Sequence, residues 1–249
     1  MDSPLISCIV PVFNGERFLA QALESILSQT YRPLEIIVTD DGSTDRSVDV
    51  VARYGSSVHY LRQSNEGPAA ARNRGLAVAS GDLVAFLDQD DVWHCGKLER
   101  QVACFIDDPE LSLCVTHVQK FWGREPHEKT FRFPNRRLSR PLPGYLTGTL
   151  LARRSLFSSV GMFNSKLRYG DAAEWFLRAA ELGVKIALLS DVLMYHREHE
   201  SNFSRLHASA SREEFLGIIK ESLDRRRSTV ESSLIEYNTF RKSKSKSQN

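Results

Sequence analysis

Three carboxylates close a short apolar run in VAFLDQDD, where Asp88, Asp90 and Asp91 crowd into one turn. Like charges this close repel, so the cluster must be solvated, paired with cations or bound to a metal. Hard oxygen ligands at a strand end suit Mg²⁺ or Mn²⁺ carrying a diphosphate; the plainer alternative is a solvated acidic turn ahead of a helix. A second acidic turn, TDDGSTD, ends another apolar run. Asp41 and Gly42 are ordinary turn residues there, and Thr44 or Asp45 can cap a helix. Asp40, at the last position of the strand, can accept a hydrogen bond from a nucleobase. A third segment, NEGPAAARNRG, sets Arg72 and Arg74 on a helix beginning near Gly67. Arginine offers a planar fork for phosphate or base edges, and Arg74 is expected on the solvated face.

The elements that must position these groups follow from hydrophobic period. LISCIVPV (Leu5 to Val12) is apolar and β-branched, and Glu16 to Ser28 carries apolar residues at helical spacing, giving a strand and then an amphipathic helix. The pattern repeats with a strand at Leu34 to Asp40 and a helix at Arg46 to Arg53, a short strand at Val58 to Leu61 and a helix at Gly67 to Ala79. A nearly all-apolar strand, Asp82 to Asp88, follows. Continuous apolar strands alternating with helices indicate an α/β fold, a mostly parallel Rossmann-like central sheet flanked by helices. In such sheets ligands bind outside the carboxyl ends of the strands, where Pro11 to Asn14, Asp40 to Ser43 and Asp88 to Asp91 all lie.

After about residue 118 the regularity fails. Lys120 to Pro143 reads as a long proline-punctuated loop with the aromatics Phe121, Trp122, Phe131 and Phe133. Beyond it are expected a strand at Thr147 to Ala152, a helix at Asp171 to Leu182, one or two strands at Lys185 to His199, and a helix from Arg212 to about Phe240. That last helix has Phe215, Leu216, Ile218, Ile219 and Leu223 on one side. The closing RKSKSKSQN is a polar basic tail expected to be disordered.

The composition narrows the function classes. The 249 residues carry 33 basic and 31 acidic side chains, too balanced for a dedicated nucleic-acid binder, so no nucleic-acid partner is expected. No basic n-region and apolar stretch open the chain, no apolar run is long enough to span a membrane, and the four cysteines lack CxxC spacing. A cytoplasmic location with reduced, buried or inert cysteines is expected, with the terminal helix either packed on its own domain, lying at the inner face of the membrane, or pairing with a second subunit as a homodimer. The cluster Arg225, Arg226 and Arg227 and the basic tail suit anionic headgroups.

In order, VPVFN, DDGSTD, N-E-G-x-x-x-A-R-N-x-G and D-x-D-D over roughly residues 5 to 95 resemble the family 2 glycosyltransferases of GT-A fold, and the likeness continues less closely through GTLLARRSLFSSVGMF, GDAAEWFLRAAELG and YHREH. The resemblance implies a GT-A domain over residues 1–211, with a nucleotide-sugar-binding half (1–118) and an acceptor-binding half (119–211), then a C-terminal helical extension (212–240) and tail (241–249). It implies that Pro11, Val12 and Asn14 line the nucleotide pocket with Glu16 nearby, that Asp40 reads the base, often uracil, and that Arg72 lies beside base and phosphates. Asp88 is then the D-x-D member near the ribose, Asp90 the direct ligand of Mn²⁺ or Mg²⁺, Asp91 an assistant to metal or sugar, and His199 the histidine that completes the metal or diphosphate site.

The function so implied is inverting, metal-dependent transfer from a nucleoside-diphosphate sugar, a UDP-sugar by the uracil reading, to a hydroxyl of a saccharide or lipid-linked acceptor in polysaccharide or glycoconjugate synthesis. One position departs from the pattern. Relatives carry the proton-accepting base as the second acid of Gly-Asp-Asp or Gly-Glu-Asp, and here that position is Ala172. An acceptor hydroxyl still needs a base as it attacks, and Asp171 or Glu174, three apart on one helix face, are the substitutes. Two alternatives remain: a nucleotide-sugar-binding relative without turnover, and a haloacid-dehalogenase-type phosphohydrolase with Asp88 as nucleophile. A dinucleotide dehydrogenase is not expected, because the first turn, VFNGER, is not G-x-G-x-x-G.

Overall fold

The computed structural model describes residues 3–123, 140–200, 202 and 207–246, with side chains of the terminal helix described as far as residue 228. The first half alternates β1 (Ile6–Val12), α1 (Leu19–Leu27), β2 (Leu34–Asp40), α2 (Ser47–Ala52), β3 (His59–Arg62), α3 (Pro68–Val78) and β4 (Leu83–Phe86). β5 (Val92–Trp93), α4 (Lys97–Asp107), β6 (Leu113–Trp122), β7 (Leu142–Pro143), β8 (Leu151–Arg153), α5 (Leu156–Ser159), α6 (Asp171–Glu181), β9 (Ile186–Glu198) and α7 (Ala208–Lys246) follow.

The strands form one mixed sheet in the order β3-β2-β1-β4-β8-β6-β9-β5, with β7 on β6. β3, β2, β1 and β4 are mutually parallel, whereas β8 runs antiparallel between β4 and β6. From β1 the chain steps outward on one side to β2 and β3, then returns to place β4 on β1's other side. Such a reversal opens a crevice at the carboxyl ends of the two central strands.

Every residue of β1 is buried, and alternation divides its side chains between two cores. Cys8, Val10 and Val12 face α1 and α4 with Leu19, Leu23, Ile26 and Leu98; Ile9 faces α3, α5 and α6 with Leu76, Phe157 and Trp175. α3 lies close on the sheet because Gly75 has no side chain, and a Cβ there would stand 2.5 Å from Ile9 Cγ2. Pro11 is tolerated in a central strand because β4 pairs β1 only from Ile6 to Ile9, leaving its missing N–H without a ladder role.

Several expected elements shift. The first helix opens at Leu19 rather than Glu16, since Phe18 and Leu19 donate back to Gly15 O and close a turn. The expected loop from Lys120 begins later: Lys120 to Trp122 pair with β9, Leu142 and Pro143 pair with β6, and residues 124–139, with Phe131 and Phe133, lie outside the described residues. Thr147–Thr149 is a 3₁₀ turn ahead of β8, and residues 186–198 form one strand with register shifts near His117 of β6. The terminal helix continues through the expected tail as far as Lys246, leaving 247–249 outside the described residues. Its packing face also differs, for Ile218 is buried while Phe215, Leu216 and Leu223 are exposed. All four cysteines are free, Cys8 and Cys114 buried and Cys95 exposed.

Candidate active site at the carboxyl ends of the strands

The turn after β1 is shaped by Asn14, which holds a left-handed φ of 51°, a conformation that asparagine accepts more readily than most residues. Its N–H donates to Ser43 Oγ at 2.9 Å, and its Oδ1 accepts the Thr44 N–H at 2.8 Å. These bonds join the β1 turn to the β2 turn, where Gly42 takes a φ of 79° that a side chain would oppose. Asp45 Oδ1 accepts the Ser47 N–H at 3.0 Å two residues on, but the N-cap of α2 is Arg46, without a side-chain cap bond, rather than the expected Thr44 or Asp45.

Gln89, between the first two acids of the D-x-D-D turn, uses its amide in both directions: Oε1 accepts the Phe13 N–H at 2.8 Å and Nε2 donates to Phe13 O at 3.0 Å. The turns after β1, β2 and β4 are thus one hydrogen-bonded unit. Nothing in the spacing of Gln89 singled it out, because its contribution is a tertiary bond pair.

Arg72, from α3 and nearly buried, spans the crevice. Its Nη2 donates to Asp88 Oδ1 at 2.7 Å and its Nη1 to Asp171 Oδ2 at 2.6 Å, joining the D-x-D turn to the first residue of α6. Burial works against the guanidinium charge, but the two carboxylates outweigh it and push its pKa upward. Arg74 is exposed, as expected.

Asp90 and His199 also come together, with Oδ2 and Nε2 at 2.9 Å. Asp91 is buried and takes His196 Nδ1 at 3.1 Å and the Arg197 N–H at 2.9 Å. Burial raises the Asp91 carboxyl and the imidazole draws it back, while Asp91 raises His196 and favours imidazolium. The fully buried Arg197 lies between the rings of Phe18 and Phe121, 4.5 and 4.4 Å from their centroids. Its Nε donates to Asp90 O at 2.7 Å, which fixes the acidic turn. His196 and Arg197 both lie within YHREH, but their contacts with the acidic turn are tertiary and carry no spacing signal.

Other expected site residues are engaged within the protein. Both Asp40 oxygens are engaged, by the Ser43 N–H at 2.7 Å and the Tyr60 hydroxyl at 2.5 Å. Glu16 accepts the Arg46 N–H at 3.1 Å, and Pro11 and Val12 are buried strand residues. Glu174 does not share the crevice with Asp171. It pairs with Arg178 at 2.7 Å, and Arg178 donates to the carbonyls of Val160 and Met162. The expectation that both acids reach one cleft therefore fails, because the i,i+4 arginine draws Glu174 toward the loop after α5. Trp175 lies in the core, stacked on Phe157.

The two donor atoms are a carboxylate oxygen, a type that Mg²⁺ and Mn²⁺ take, and an imidazole nitrogen. Asp90 Oδ2 and His199 Nε2 converge, Asp88 stands on the same turn, and no group of three metal-binding side chains among the described residues closes around a point. A site with two or so protein ligands leaves positions for water and phosphate oxygens, as Mg²⁺ and Mn²⁺ sites with substrate phosphates do.

Residues 7–161 match the model of Glycosyl transferase family 2. The chain belongs to that family. It is 31% identical over 185 residues to an uncharacterized glycosyltransferase of Rickettsia typhi, covering 70% of this chain and 58% of the relative. It is 32% identical over 232 residues to one of Nostoc sp., covering 84% and 69%. It spans about half the length of some relatives, 47% for one from Haemophilus influenzae. Among solved structures, S. aureus TarS 1–349 in complex with UDP-GlcNAc is 25% identical with a TM-score of 0.69, over 87% of this chain and 65% of that one. A mannosyltransferase of Pyrobaculum calidifontis in complex with GDP-Man and Mn²⁺ shares the fold at 19% identity and a TM-score of 0.64, over 82% and 59%. The fold is that of the GT-A glycosyltransferases, and family membership sets aside the phosphohydrolase alternative.

Proposed function

We propose that this chain transfers a sugar from a nucleoside-diphosphate donor to an acceptor hydroxyl, with inversion and with a divalent cation at Asp90 and His199. The observation that carries this reading lies at the β1/β4 reversal, where four segments meet: the turn of Asp88 and Asp90, Arg72 of α3, Asp171 of α6 and His199 after β9, with Arg72 bonded to Asp88 and Asp171 and His199 to Asp90. The UDP-GlcNAc complex of the TarS neighbour supports a UDP-sugar as donor. A cation bound there supplies Lewis-acid neutralisation of the diphosphate.

The chain's own groups supply the rest. Arg72 presents its fork at the donor side, and the Asn14–Ser43–Thr44 bonds hold the nucleotide-facing turns in place before ligand arrives. As the acceptor oxygen attacks the anomeric carbon, the bond from that carbon to the diphosphate breaks with its electron pair, and the hydroxyl proton passes to a carboxylate opposite the leaving group. Asp171 fills this role in the proposal, because Ala172 cannot and Glu174 is held by Arg178. A diphosphate competing for Arg72 leaves Asp171 Oδ2 open to accept the proton. The acceptor is a saccharide or lipid-linked hydroxyl on the α6 side.

A second reading, donor binding without turnover, is favoured by Ala172 and by the engagement of Asp171 with Arg72. Incubating the chain with UDP-sugars, Mn²⁺ and a panel of acceptors separates the two. Nucleoside diphosphate released in proportion to glycosylated product, with the product's anomeric centre inverted by NMR, is expected. Donor binding without release across the panel would establish the second reading instead.

A further inference from the structure

We propose that the outward face of α7 docks on an anionic lipid surface, an inference that does not depend on the transfer chemistry. α7 attaches to the body through a narrow line of residues. Glu214 accepts the backbone N–H groups of Arg168, Tyr169 and Gly170 at 2.9, 2.8 and 2.7 Å, and Ile218 is buried against Gly170. Ser222 and Arg225 bind Glu181 at 2.5 and 2.7 Å. These four positions recur at the spacing of one helix face.

On the opposite face Leu216, Ile219 and Leu223 form a stripe, with Leu216 63% and Leu223 50% exposed. Arg212, Lys220 and Arg227 surround it and are exposed, while Glu221 and Asp224 lie toward α6 beside Leu182. The helix thus meets its own protein mainly through Glu214, Ser222 and Arg225, with Ile218 the buried apolar residue between them, and leaves Leu216 and Leu223 outward among basic side chains.

Charge decides the occupant. A second copy laid on this face would bring Arg212, Lys220 and Arg227 against their own equivalents, with Glu213 and, at the edge toward α6, Asp224 the acids on that flank among the described residues. An anionic headgroup layer meets the same cations favourably while acyl chains take up the leucines. The chain's charge is divided in the same sense: residues 212–249 hold nine basic and six acidic side chains, against 24 and 25 in the rest, and no acid follows Glu236. Arg225 and Arg226 belong instead to Glu181, at 2.7 and 4.0 Å, so the arginine cluster is not all available to headgroups.

The full chain is tested by sedimentation with vesicles of phosphatidylcholine alone and of phosphatidylcholine with phosphatidylglycerol. Binding to the anionic vesicles only, released by salt, is expected. Lys220→Ala with Arg227→Ala should weaken it about 25-fold, from about 1 kcal/mol per basic residue near the surface. Leu216→Ser with Leu223→Ser should weaken it at least about tenfold, with an unchanged melting temperature because both side chains are exposed. Absence of binding, equal binding to both vesicles, or binding that survives both pairs of substitutions overturns the proposal. So does a concentration-dependent dimer that the leucine substitutions dissolve without any vesicle binding, which would assign the stripe to a second copy.

Discussion

Arg72 engages carboxylates from both halves of the chain, Asp88 on the donor side and Asp171 at the head of α6. Removing one partner of a buried ion pair leaves the other charge unanswered, so Arg72→Met should lower the unfolding free energy by about 3 to 5 kcal/mol in urea titration. Arg72→Lys, which keeps the charge but loses the fork, should cost less; a wild-type denaturation curve for Arg72→Met would remove the bridge from the account. Lys97 gives a second test away from the crevice. It is fully buried, its Nζ donating to Gln101 Oε1 at 2.7 Å and lying 4.2 Å from the Trp93 ring centroid. Burial, only partly offset by the Cys8 and Cys114 thiols, lowers its pKa from 10.5 to about 7. Between those values the unfolded chain holds the proton and the folded chain does not, so stability should climb as pH rises from about 7 to 10.5. Lys97→Met should abolish that climb and raise stability at neutral pH. An identical pH profile in the two proteins would mean that the amine is not desolvated.

At the scale of elements, the parallel half was readable because each of its strands is an apolar run ended by turn residues. β2 lies where it was expected, and Asp40 does end it. The second half was less legible because its pairings are long-range: β6 is sandwiched between β8 and β9 and continues into a segment whose proline-rich sequel reads as loop. Of the expected site residues, Arg72 meets Asp88 and Asp171, and His199 meets Asp90. Glu174 and Glu16 are drawn aside by Arg178 and Arg46, partners that spacing alone did not select. The contact between α3 and β1 is tested by Gly75→Ala, whose Cβ would meet Ile9 Cγ2. Overpacking of this kind should cost about 1 to 3 kcal/mol, read as a fall in melting temperature. The seat of α7 is tested by Glu214→Ala, which strips three backbone N–H groups of their acceptor. Trypsin should then cut within α7 faster while the core strands keep their amide protection; unchanged cleavage would show that Ile218 and Arg225 hold the helix alone.

For the molecule as a whole, the near balance of 33 basic and 31 acidic side chains conceals a division of labour. The carboxylates that matter stand at strand ends, and the basic excess lies in the C-terminal segment. No helix among the described residues is long and apolar enough to cross a membrane, so any membrane contact of those helices is made by a surface such as that of α7. In the crevice, three turns are tied into one unit by Asn14, Ser43 and Gln89 before any ligand is present. A donor that binds this native arrangement alone must raise the melting temperature. The claim on which the functional reading turns is that the acidic turn after β4 grips the donor diphosphate through a cation. Calorimetric titration of UDP into the full chain, with and without Mn²⁺, tests it most directly when repeated on Asp90→Ala. Binding that requires Mn²⁺ and falls at least about tenfold in Asp90→Ala, a loss of about 1.4 kcal/mol or more, is the predicted result. Equal affinity in the two proteins, or UDP binding indifferent to the metal, would contradict it.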